Sequence, residues 1–179
     1  MASVVLVHGW GGAFSTTWQR SGFTALLADG GKHVIAVDLL GHGQAPKPHD
    51  PEAYTDLTER IFDAIDAESP DEPVEAVGFS LGALTLLSAA IARPERFSRI
   101  VLAGIGHNVI ERDHVGATRI VEGLELVIEA EDADTDPDLD EMDQIARLFV
   151  QYAQQPGNDI RALAAVMRRP PADYFERSD

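Results

Sequence analysis

Val4-Val5-Leu6-Val7 is a run of apolar, mostly β-branched residues with no polar alternation, the pattern of a strand buried on both faces. Three more short runs read as strands: His33 to Val37, expected to be buried, Val74 to Phe79, and Arg99 to Ala103. Between them the apolar positions fall at helical spacing. Ser15 to about Ala28 carries Trp18, Leu26 and Leu27 and is closed by Gly30-Gly31. Thr55 offers an N-cap for a helix with Leu57, Ile61 and Ile65 on one face, and Leu81 to Ala92 reads as a third helix. "LLGHGQAPKPHDPEAY" is a loop by its glycine and proline content.

Strand and helix alternate with short connections, which predicts a parallel sheet with helices on both faces, an α/β architecture. After Gly104 the period changes. Ile120, Leu124, Val127 and Ile128 lie at helical spacing, as do Met142, Ile145, Phe149 and Tyr152, and then Ile160, Leu163 and Met167. The expected organisation is a sheet-containing core over residues 1–106 and a helical segment over residues 107–179. No internal repeat is present.

Composition narrows the picture. The chain has 179 residues, 45% of them hydrophobic, enough for one domain with a substantial core. With no cysteine, disulfides and thiolate metal sites are excluded. No apolar stretch approaches the roughly 20 residues of a membrane span, and "MASVVLVHGWGG" lacks the basic region and cleavage site of a signal peptide; a cytoplasmic protein is expected. A formal charge of −16, from 30 acids against 14 bases, argues against nucleic acid or an anionic membrane as partner. Nine of those acids fall in residues 129–143, "EAEDADTDPDLDEMD". Asp132, Asp134, Asp136 and Asp143 have calcium-loop spacing, but Pro137 stands where such a loop needs glycine for its turn. A solvated, mobile linker is the expectation, with no metal and no cofactor.

Three of the four expected strands end in polar or glycine-rich chemistry: His8-Gly9-Trp10-Gly11-Gly12, Asp38 with Gly41-His42-Gly43, and Gly78-Phe79-Ser80-Leu81-Gly82. Ligands of open α/β sheets bind beyond the carboxyl ends of the strands. A G-x-S-x-G between strand and helix is a nucleophile elbow: the turn is so tight that side chains at the flanking positions collide, and glycine removes the collision. The serine is lifted above the sheet at a helix N-terminus, where backbone N–H groups favour developing negative charge.

The three motifs, in this order and spacing, resemble the α/β-hydrolase family, in its group with a helical cap. His8-Gly9-Trp10 resembles the family's oxyanion loop, Asp38 to Gly43 its D-x-x-G-x-G loop, and Gly78 to Gly82 its elbow; "RPERFSRIVLAG" resembles its path to the next strand. The resemblance covers residues 1–106 and implies a serine hydrolase acting on a small or medium ester or related acyl compound. It implies Ser80 as nucleophile, the backbone N–H groups of Leu81 and Trp10 as oxyanion donors, and Trp10 and Phe79 as substrate walls. His8, Gly9, Asp38, Gly41, His42, Gly43, Gly78 and Gly82 are implied as structural, with neither His8 nor His42 as the base.

A triad also needs a base and an acid, and in this family they follow the serine in the order acid, then His. The sequence ends at "RRPPADYFERSD", ahead of the strands that carry them in the family. After Ser80 come only His107 and His114; His107 is a candidate base just past the fourth strand, with Glu111 and Asp113 weaker as the acid. Two expectations follow: a truncated or partial hydrolase impaired for want of base and acid, or a triad-deficient member that binds small molecules. A fourth strand left unpaired at the edge would invite self-association. A nucleotide-binding reading is disfavoured, since neither G-x-G-x-x-G nor G-x-x-x-x-G-K-[ST] occurs.

Overall fold

The computed structural model of the chain describes residues 2–106, 109, 114–140 and 142–170, with backbone alone at 114 and 115. Four strands, β1 (Ser3–Val7), β2 (His33–Val37), β3 (Val74–Phe79) and β4 (Phe97–Ala103), form one parallel sheet in the order β2-β1-β3-β4. The intervening helices are α1 (Phe23–Asp29), α2 (Glu59–Glu68) and α3 (Leu81–Ala92). From β1 the chain steps outward to β2, then crosses back to β3 and on to β4. Right-handed crossovers therefore put α1 on one face and α2 with α3 on the other, and α2 packs on α3. The direction of winding switches between β1 and β3, so the crevice for a ligand opens where these two adjacent strands end.

Central burial follows from the apolar positions of the strands, continuous in β1 and alternate in β2 and β3. Val5, Val7, Ile35, Val37, Val74 and Ala76 from the strands meet Ile61, Ile65 and Leu86 from α2 and α3. Three further helices follow: α4 (His114–Asp132), α5 (Gln144–Ala153) and α6 (Ile160–Arg168). They close a second cluster around Ile120, Leu124, Val127, Val150 and Leu163. Ala165 and Val166 of α6 belong instead to the first cluster, and Trp10 packs against both. The helical segment is thus seated on the carboxyl-end loops of the sheet. Among the described residues no strand follows Ala103, and Val101 on the outermost strand β4 is 55% exposed.

Three local expectations change. The single helix expected from Ser15 to Ala28 is two pieces, a π-helical turn at Ser15–Gln19 and α1 from Phe23. Gly22 breaks them apart at φ 79°, a left-handed conformation that glycine adopts without strain. Thr55 does not cap α2. Pro51 starts a 3-10 turn over Pro51–Tyr54, and the Thr55 hydroxyl donates to Glu52 O at its end. The helix begins at Glu59, behind the Asp56 carboxylate, which accepts from the Thr58 N–H at 2.7 Å. The acidic run is not one linker: Glu129 to Asp132 complete α4, Asp132 pairs with Arg161 at 2.7 Å, and Asp143 caps α5.

Candidate active site

Ser80 is the only residue between the end of β3 and the start of α3. Its backbone has φ 50° and ψ −114°, a conformation costing a non-glycine residue about 1–3 kcal/mol and kept only where the surroundings enforce it. They do so here. The Ser80 N–H donates to Ala103 O of β4 at 2.8 Å, and Ser80 O accepts from Leu84 N–H at 3.0 Å. A Cβ added at Gly78 would lie 2.6 Å from Gly82 O and 2.8 Å from the Ala83 backbone. One added at Gly82 would fall on the carbonyl oxygens of Val7 and His8. The two glycines let α3 begin directly against the end of β1. The Leu81 N–H is one of the first helical amides, which the helix itself cannot satisfy.

The loop after β1 lies against this elbow: a Cβ at Gly9 would be 3.4 Å from Ser80 Cβ and 3.3 Å from Phe79 O. His8 sets the loop's shape. The Leu39 N–H donates to His8 Nε2 at 3.1 Å, so Nε2 is the acceptor, and the proton on Nδ1 goes to Gly9 O at 2.8 Å. Burial pushes the His8 pKa down, against the opposing pull of Gly9 O and Asp38, and keeps the ring neutral. Gly9 O also accepts the Gly12 N–H at 3.1 Å. With that carbonyl held by two donors, the planar trans peptide directs the Trp10 N–H the opposite way.

The Asp38–Gly43 loop is a brace. The Asp38 carboxylate accepts from Phe14 N–H at 2.7 Å and Gln44 N–H at 2.8 Å, tying β2 to the segment after the Gly9 loop. Gly43, at φ 50°, leaves space that a Cβ would take from that carboxylate. A Cβ at Gly41 would be 2.9 Å from Val166 of α6. His42 is fully buried, its ring 5.1 Å from that of His8. Burial and then the neighbouring His8 push its pKa down to about 3.

The helical segment reaches the same place. Trp10 Nε1 donates to Leu163 O at 3.1 Å, and its ring lies 5.2 Å from that of Phe149. Asn158 Nδ2 donates to Gly11 O and to Tyr152 O, each at 2.9 Å. Phe149 and Tyr152 were legible in the sequence only as helical periodicity, and Asn158 not at all; the Pro156-Gly157-Asn158-Asp159 turn marks a loop without saying which loop it meets. Phe79 is 46% exposed, its ring wedged between Gly9 and Gly104.

Ser80, Leu81, Trp10, Phe79, Gly9, Gly78 and Gly82 therefore converge, with His8, Asp38, Gly41, His42 and Gly43 behind them. His107, Glu111 and Asp113 lie outside the described residues. The four histidines with described side chains hold other partners: His8 as above, His42 Nδ1 with Leu40 O at 3.0 Å, His33 with Glu68 at 2.7 Å, and His49 with Asp159 at 3.0 Å. A groove of about 310 Å³ lined by Arg119, Gly123, Met142 and Asp143 sits within the helical segment and has none of the Ser80 surroundings in its walls. Among the described residues no helix is long and apolar enough to cross a membrane.

Comparison with known proteins agrees with this fold. The sequence matches the alpha/beta hydrolase fold family over residues 2–144. It is 31% identical over 110 residues to the 2-hydroxy-6-oxo-6-(2'-aminophenyl)hexa-2,4-dienoic acid hydrolase of Metapseudomonas resinovorans, covering 60% of this chain and 37% of that protein. Over 99 residues it is 36% identical to the pimeloyl-[acyl-carrier protein] methyl ester esterase of Methylococcus capsulatus, covering 55% and 35%. The matched stretch thus spans little more than a third of either relative. A marine microorganism esterase superposes with a TM-score of 0.61 at 16% identity, covering 96% of this chain and 71% of that one, which speaks to the fold alone. By its sheet, its elbow and the match across most of its length, the chain belongs to the α/β-hydrolase family.

Proposed function

We propose that the chain is a serine hydrolase for small or medium carboxylic esters or related acyl compounds, with Ser80 as nucleophile. The supporting observation is the strained Ser80 backbone at a strand–helix junction that only glycines at 78 and 82 permit, with the Gly9 loop in contact. Ser80 Oγ attacks the acyl carbon as a base takes its proton. The carbonyl oxygen, now an anion, is held by the N–H groups of Leu81 and Trp10, each worth about 3–4 kcal/mol in comparable sites. Collapse expels the alcohol, which takes a proton, and water then releases the acid from the acyl-serine. Trp10 and Phe79 form walls for the substrate. Residues 1–106 act as the catalytic core and 107–179 as its helical cap. The names of the two relatives, one a hydrolase and one a methyl ester esterase, support the reaction class.

The base is the weak point of the site. Among the described side chains, His8, His33, His42 and His49 are engaged elsewhere, which leaves His107 as the candidate base and makes slow turnover the expected outcome. The same observation favours a second reading, a receptor-like member that binds an acyl compound without hydrolysing it. An activated organophosphonate followed by peptide mapping tests the nucleophile: the adduct should sit on Ser80 and vanish in Ser80→Ala. Labelling that persists in that variant overturns the assignment. His107→Ala separates the two readings, because loss of a robust esterase activity identifies His107 as the base.

A further inference from the structure

We infer that Asn158, in the turn between α5 and α6, is a positioning residue that holds the Gly9–Gly12 loop in the shape that presents the Trp10 N–H. The inference rests on the hydrolase reading above. Asn158 Nδ2 has two protons, and both are used, one on Gly11 O and one on Tyr152 O, each at 2.9 Å. The opposite amide orientation would set Oδ1 against two carbonyl oxygens, so the donor arrangement is the only favourable one. Gly11 has φ 71° and a Cβ there would meet the Tyr152 ring at 2.9 Å, so the helical segment packs closely on this one residue.

Each peptide plane near Trp10 then has a separate anchor. His8 Nδ1 and Gly12 N–H hold the Gly9 carbonyl from the sheet side. Asn158 holds the Gly11 carbonyl from the helical side. The Trp10 indole is fixed to Leu163 O, one turn into α6. A glycine-rich loop with three glycines in four residues has little intrinsic preference for one conformation. Without Asn158 the half of the loop beyond Trp10 loses its polar tie to the helical segment, and an oxyanion donor displaced by about 1 Å costs up to about a hundredfold in rate.

The test uses Asn158→Asp, of the same shape but with no donor for either carbonyl at neutral pH, and Asn158→Ala. Exchange of the Gly12 amide, which is bonded to Gly9 O, should rise at least about tenfold in both, while exchange in β3 and the melting temperature stay near wild type. In p-nitrophenyl acetate hydrolysis, kcat should fall about ten- to hundredfold with KM within twofold. Unchanged exchange at Gly12 overturns the clamp, and faster exchange with unchanged kcat overturns its role in positioning. A general loosening of β3 as well would mark Asn158 as merely structural. If Ser80→Ala hydrolyses the ester as fast as wild type, the serine reading fails, and the exchange data still decide whether Asn158 holds the loop.

Discussion

At the scale of single residues, the site is built from backbone rather than from side chains. Gly82 shows this most plainly, since a methyl there would overlap the Val7 and His8 carbonyl oxygens, which belong to β1 and its exit and cannot move aside. Gly82→Ala should therefore destabilise the fold by more than about 3 kcal/mol, measured as a shift in urea midpoint; a midpoint within experimental error of wild type would refute the close approach. The glycines of all three loops were legible in the sequence, because a glycine at a strand end reports a local backbone need. What each one meets was not: Gly82 faces β1, Gly43 faces the Asp38 carboxylate, and Gly11 faces Tyr152. Those partners come from 5 to 141 positions away, and no local pattern encodes them. Trp10 shows the same limit, with its indole bonded to a helix more than 150 residues on.

Among the elements, β1 was identified by a continuous apolar run buried along its length, whereas β2 and β3 bury alternate positions and β4 is largely exposed at the edge. Helix starts were harder. Thr55 read as a cap, but Pro51 starts a turn through Tyr54 and the helix begins only at Glu59. The acidic run misled for a related reason. Its charge suggested solvent throughout, yet Asp132 is drawn to Arg161, Asp143 satisfies the Ile145 and Ala146 N–H groups, and Leu139 packs on the second cluster. Asp159 does similar work for α6, accepting from Arg161 and Ala162 N–H at 3.0 Å each while pairing with His49. Burial opposes its charge, but the His49 and backbone hydrogen bonds outweigh that and hold its pKa below the usual carboxylate value. Asp159→Ala should cost about 1–2 kcal/mol through the lost cap, whereas Asp136→Ala, at an exposed position, should change stability by under about 0.5 kcal/mol. Equal urea midpoints for the two variants would contradict this assignment of roles.

Across the whole molecule, two neutral histidines sit side by side beneath the site, and this gives stability a characteristic pH dependence. Desolvation lowers the pKa of both His8 and His42, the latter to about 3, with Asp38 opposing the shift in each. An unfolded chain binds protons at these positions below about pH 6.5 that the folded chain refuses. Stability is therefore full above that pH and falls as pH drops, by up to about 1.4 kcal/mol per pH unit for each histidine. Urea midpoints should decline between pH 7 and pH 5, before most carboxylates titrate, and His42→Gln should show a shallower slope; a flat profile would mean that the rings are charged or exposed. The same buried pair underlies the central claim, because His8 shapes the loop that meets Ser80. That claim is tested most directly by p-nitrophenyl acetate hydrolysis measured side by side for the wild-type chain and Ser80→Ala at matched folded concentration. A slow but Ser80-dependent release is expected, with the variant at the buffer rate and wild type at least about tenfold above it from oxyanion stabilisation. Equal rates for the two proteins would contradict the account.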